Sequence, residues 1–321
     1  MTVLDDMLAA SDLRCSTQTR NLGERLAGSA TAADRFVLVE LPLPWPKNIE
    51  HHPVLATLPT GESPTGESAS HVNTRILAIR RGDDSDSSRH RIISYRSRTT
   101  AEGFFGFTGA EVEVGATELG SALAAVLAGD ETSLEPIGHI TDVLICTHGS
   151  RDRCCGSLGS LLVLELEPLV ADHVRLWRTS HTGGHRFAPT GMTFPDGLTW
   201  GFIDGPTMLG ILDRSLDPTT LASHLRGCAG LLERAVQAAD AALFERHGWS
   251  WLDHPRSHHL VAGPDSPAPA ETIRVECESG DTRNQVELQQ GEPMPVPICA
   301  EPLEAAKKTA AQYAVTVISG D

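Results

Sequence analysis

Basic and aromatic residues are both scarce in this chain of 321 residues, with 26 Lys and Arg against 42 Asp and Glu, and with 5% aromatics. The formal charge of -16 repels phosphate backbones and argues against nucleic-acid binding. It suits a basic partner, or a surface kept soluble by acid. The start, Met1-Thr-Val-Leu-Asp-Asp, has acids where a secretory signal has bases. No apolar run approaches the roughly 20 residues that a membrane span needs. The expectation is a cytoplasmic chain without a membrane segment. In a reducing compartment seven cysteines, an odd number, do not read as a disulfide framework. Internal repeats and low-complexity tracts are absent. So are the glycine and glutamate that would make a calcium loop of the acidic turn Gly82-Asp-Asp-Ser-Asp-Ser-Ser.

What the chain does contain is 40% hydrophobic residues, enough for a sizeable core. Arg35-Phe-Val-Leu-Val-Glu-Leu is β-branched and apolar, which predicts a buried strand. Residues 73–80 and 91–95 read as further strands, 58–70 as a Pro/Gly/Ser/Thr loop and 117–127 as a helix. The run His139–Cys146 feeds into a loop, residues 156–167 have helical spacing, and 174–180 alternates like a strand. Residues 191–203 form a hairpin turning at Pro195-Asp-Gly. Helices are expected at 206–212 and, as one long segment, at 221–247. After a break at 264–269, residues 271–277, 284–288 and 315–318 alternate like strands of a small β element.

The chemistry concentrates in two loops. Cys146-Thr-His-Gly-Ser-Arg-Asp-Arg-Cys-Cys155 gathers three cysteines, and His181-Thr-Gly-Gly-His185 brackets two glycines with histidines. Each loop follows an expected strand. Thiolates and imidazoles converging from loops suit a transition metal or an iron–sulfur cluster. The His181/His185 spacing fits tetrahedral zinc, but the cysteine spacing is wide for it. A [2Fe–2S] cluster held by one cysteine pair and one histidine pair is the alternative. Cys15, Cys228, Cys277 and Cys299 read as packing residues, since isolated cysteines are often buried. His148, two residues from Cys146, reads as a hydrogen-bonding neighbour of the ligands.

These two loops closely resemble the sucrase/ferredoxin-like family. The segments Cys15-Ser, Gly28-Ser-Ala and Pro42-Leu-Pro-Trp45 add to the resemblance, which covers about the first two-thirds of the chain. It implies a thioredoxin-like ferredoxin and a bis-histidinyl, non-Rieske [2Fe–2S] cluster. It assigns the ligands to Cys146, Cys155, His181 and His185, with Cys154 in reserve. Arg151, Asp152, Arg153 and Arg186 would supply charge around the cluster, or the arginines would pair with Asp152. The family name also mentions sucrase, but no pair of carboxylates is marked out for glycoside hydrolysis.

The reading is an α/β (α+β) chain with two thioredoxin-like lobes and a helical and small β C-terminal extension. The expected divisions are 1–135, 136–265 and 266–321. The function expected is electron transfer to a partner protein, with no catalytic residue of its own. A zinc-stapled interaction domain on the same four residues, or thiol–disulfide exchange at Cys154–Cys155, stand as alternatives. The missing C-x-x-C spacing counts against the last.

Overall fold

The computed structural model describes residues 13–58, 72–82, 88–261 and 272–320. The loop 58–70 beyond Leu58, most of the acidic turn and the break at 264–269 lie outside them.

Helix α1 (Cys15–Leu22) precedes strand β1 (Arg35–Glu40), whose every residue is buried. Burying each large apolar side chain of β1 contributes about 1.5–3 kcal/mol. Helix α2 (Pro53–Ala56) leads to β2 (Thr74–Arg80), then β3 (Arg89–Thr100), β4 (Gly103–Gly115) and helix α3 (Leu119–Leu127). Leu119, Leu123 and Val126 form the buried stripe of α3 at helical spacing. The bridge β5 (Glu135–Pro136) comes before β6 (Thr141–Cys146). A π-helical turn (Cys155–Gly159) runs into α4 (Ser160–Leu166), followed by β7 (Val174–Thr179), β8 (Thr190–Phe194) and β9 (Leu198–Gly201). Helices α5 (Gly205–Leu212) and α6 (Pro218–Ala222) are each capped by the aspartate before them, Asp204 and Asp217. Then come β10 (Leu225–Cys228), α7 (Arg234–His247), β11 (Arg256–Val261), β12 (Thr272–Ser279), β13 (Thr282–Pro295) and β14 (Thr309–Gly320).

The long helix expected at 221–247 is therefore a correction. Leu225–Cys228 is extended and pairs with β9, and Gly227 holds φ +128, which a helix does not allow. The two helical stretches on either side are separate elements.

All the strands join one sheet of mixed α/β architecture. Within it one strand order occurs twice. In β2-β1-β3-β4, β1 and β2 are parallel and β3 and β4 antiparallel. In β7-β6-β8-β9, β6 and β7 are parallel and β8 and β9 antiparallel. The two sets meet through a short antiparallel pairing of β2 with β7, Ile79 opposite Thr179. The few aromatics are spent across this junction. Tyr95 of β3 stacks on Phe194 of β8 at 4.3 Å, and Phe36 and Phe107 meet the same ring edge-on at 5.3 Å. Such pairs add about 0.5–1.5 kcal/mol each beyond their burial. The C-terminal strands β11–β14 extend the sheet past β4 and pack against α7.

Candidate metal centre

Both loops leave the same edge of the second strand set. Parallel β6 and β7 end side by side, Cys146 opposite Thr179, so the cysteine and histidine loops emerge together. Gly183 and Gly184 lie at φ +87 and +64. A Cβ at Gly183 would come 2.1 Å from Thr31 Oγ1, and one at Gly184 would strike the Arg226 guanidinium. The histidine loop is thus folded against α1's following segment and β10 by backbone that only glycine allows. On the cysteine loop, Gly159 passes so close to the Cys146 carbonyl that a Cβ would lie 2.0 Å away, which brings the π-helical turn onto the end of β6.

Cys146 and Cys155 are buried and hydrogen-bonded to each other, and the Cys146 thiol also contacts the His181 imidazole. The hydrogen bond from Cys155, with help from His181, holds the Cys146 thiol well below its ordinary range despite burial. Cys155 is pushed up, first by donating to Cys146 and then by burial. Burial keeps His181 in its neutral form, and its Nδ1 is buried with no hydrogen-bond partner. His185 lies with its ring 6.2 Å from that of His181, and its Nδ1 meets Asp152 Oδ2 at 3.0 Å.

His148 is fully used elsewhere. Its Nδ1 accepts from the His181 backbone N–H at 3.1 Å, which requires Nε2 to donate to the Pro46 carbonyl at 2.9 Å. It fixes the backbone of a candidate ligand. Asp152 accepts from the backbone N–H groups of Cys154 (2.9 Å) and Cys155 (3.2 Å), capping the helical turn that carries both cysteines. Two of the arginines offered as partners of Asp152 go elsewhere. Arg186 forks onto buried Glu24, and Arg151 reaches Asn48 at 3.2 Å.

Two cations and two cysteines of the site were not legible in the sequence. Arg75 donates to the His181 carbonyl at 2.6 Å, and burial lowers it to about 10. Arg226 donates to the Gly183 carbonyl at 3.1 Å and is lowered to about 9 by burial and by Arg186. Cys15 and Cys299, read as packing residues, join the same thiol cluster. Cys154 Sγ is 3.0 Å from Cys299 Sγ, which is 3.3 Å from Cys15 Sγ. With Asp152 they form a group whose donor atoms lie within 4.8 Å of one another, so the chain can hold a metal ion there. Cys154 therefore faces Cys15 and Cys299, while Cys155 accompanies Cys146. The Cys154 thiol is held well below the ordinary range because Cys15 and then Cys299 donate to it. Cys228 and Cys277 stay in the apolar core, as expected.

The sucrase/ferredoxin-like family model matches residues 26–227, and the chain belongs to that family. A curated relative, Altered inheritance of mitochondria protein 32 of Meyerozyma guilliermondii, is 36% identical over 87 residues, covering 24% of this chain and 31% of that protein. The chain thus matches about a third of the relative's length. No solved structure matches. Among the described residues no helix is long and apolar enough to cross a membrane.

Proposed function

We propose that this protein transfers electrons through a [2Fe–2S] cluster held by Cys146, Cys155, His181 and His185. One observation carries the reading: the buried Cys146 thiol meets both Cys155 on its own loop and an imidazole from the other, His181, whose Nδ1 is buried without a partner. An orphaned buried nitrogen costs about 1–3 kcal/mol unless something occupies it. The donor set also fits. His185 has its Nδ1 held by Asp152, which leaves Nε2 for iron and fixes the ring, as outer carboxylates do for metal-bound histidine.

The group would supply one-electron redox chemistry. The chain's own residues set its terms. Two neutral imidazoles in place of two thiolates remove two negative charges and raise the potential relative to a four-cysteine ferredoxin. Half-buried Arg75 and buried Arg226 beneath the histidine loop favour the electron further. Imidazole nitrogens not bound to iron can take up a proton on reduction, so the potential should fall with rising pH, by at most about 59 mV per unit for one proton per electron. The two repeated strand sets are read as two lobes, the second carrying the cluster. The acidic surface suits a basic redox partner.

The test is anaerobic purification with iron and sulfide analysis. About two irons and two sulfides per chain, brown colour and an EPR signal on reduction support the reading. A colourless protein with zinc bound by two sulfurs and two nitrogens would establish the zinc-stapled alternative instead.

A further inference from the structure

We propose that Cys15, Cys154 and Cys299, completed by Asp152, form a second metal site that takes one thiophilic divalent cation of the zinc class. It shares no ligand with the cluster site and does not rest on that reading.

The three thiols come from remote parts of the chain. Cys15 opens α1, Cys154 lies in the loop after β6, and Cys299 lies between β13 and β14. Nothing in their spacing brings them together, yet Cys154 and Cys299 meet at 3.0 Å and Cys299 and Cys15 at 3.3 Å. Asp152 lies 3.8 Å from Cys15 Sγ through Oδ2 and 3.8 Å from Cys299 Sγ through Oδ1. A tetrahedral zinc with Zn–S of about 2.3 Å sets its sulfurs about 3.8 Å apart. The sulfurs need therefore separate by less than about 1 Å to receive it.

The donor chemistry selects the ion. Three soft thiolates exclude calcium and magnesium, which take oxygen, and four protein ligands make a closed structural site. Two of the ligands, Cys154 and Asp152, are already braced. Ser16 Oγ donates to Cys154 Sγ at 3.4 Å, and two backbone N–H groups and His185 hold Asp152. The tail is registered on α1 before any ion arrives. Ala300 N–H donates to the Leu13 carbonyl and the Gln18 side chain to the Glu301 carbonyl, both at 3.0 Å. Ala300 itself sits at φ +66, a turn that directs Cys299 back to the cluster of thiols.

On binding, Zn²⁺ enters and the thiol protons leave to solvent, so three thiolates and one carboxylate are reduced to a net charge of -2. The ion would staple the C-terminal segment to α1 and to the loop that carries Cys155. Its expected role is structural, holding a cover over the redox site.

The experiment is zinc K-edge absorption and metal analysis on the full-length protein, purified without chelator. The expected result is about one zinc per chain with three sulfurs and one oxygen. C299S should lose that zinc and keep iron and visible absorption unchanged. C299H should restore zinc with a nitrogen in its shell. Because the wild-type absorption spectrum reads the ligands directly, the test does not depend on any variant folding. Three-sulfur zinc in a protein without iron would sink the electron-transfer reading and leave this one standing. The proposal is overturned by a wild-type protein that takes up no Zn²⁺ after reduction, or by zinc with two sulfurs and two nitrogens. It is equally overturned by a Cys154–Cys299 disulfide in the freshly isolated chain, or by loss of iron in C299S.

Discussion

The two ends of β6 are built from opposite materials. At its start Asp142, fully buried, accepts from Arg175 through two nitrogens at 2.7 Å, from Trp177 Nε1 at 2.6 Å and from the Tyr95 hydroxyl. Tyr95 comes from β3 and the others from β6 and β7, so this carboxylate ties one strand set to the other. At the far end Cys146, equally buried, meets the Cys155 thiol and the His181 imidazole, whose Nδ1 has no hydrogen-bond partner. A closed polar network fixes a joint; an open one, at the same depth in the same strand, is a receptacle. The two ends should therefore fail differently, one by unfolding and the other by losing redox behaviour.

The largest effect expected is on the open end. Replacing both His181 and His185 by Cys adds two negative charges and should lower the midpoint potential by on the order of hundreds of millivolts, toward the all-cysteine range. Protein-film voltammetry measures this; the urea midpoint should move little. An unchanged potential would remove the histidines from the ligand set. Next, Asp142→Ala leaves the Arg175 guanidinium buried with only Glu111 for a partner, and should cost about 3–5 kcal/mol in urea unfolding. The visible spectrum of the folded fraction should persist, and a spectrum lost in step with stability would dissolve the contrast.

Asp240 offers a second closed network for comparison. Burial would raise its carboxyl, but Arg256 and His258 outweigh that and bring it to about 2. A depressed folded value gives stability that is present above the ordinary carboxylate range and lost as pH falls through about 2. Acid titration should therefore show a loss of about 2 kcal/mol across that window, absent in D240N. The smallest effect belongs to the exposed Arg214–Asp253 pair. Arg214→Ala should cost under about 1 kcal/mol and leave the potential unchanged. A larger loss would mean that surface pairs, too, help hold the sheet.

The open end of β6 and several elements of the fold could be read from local sequence, because they depend on local patterns. The run of β1, the hairpin at Pro195-Asp-Gly and both ligand loops carry their signal within about a dozen residues. Gly183-Gly184 announced a loop, and the structure shows why neither position tolerates a side chain. The unread parts depend on distance. Cys299 meets Cys154 across 145 positions and Cys15 across 284, so each looked like an isolated packing cysteine. Arg75 and Arg226 lie in strands whose surroundings, not their sequence, make them site residues. Strand β10 was taken into a helix because its four residues lie between good helix formers, and tertiary pairing with β9 decided the matter. Strand β4 was not anticipated, since its glycines hide the alternation of Glu111-Val-Glu-Val114.

Pulsed EPR of the reduced, anaerobically purified protein tests the central claim most directly, because it reads the ligand atoms themselves. Two strongly coupled nitrogens are predicted in the wild type, one in H181C and one in H185C. A reduced cluster without strongly coupled nitrogen would contradict the account.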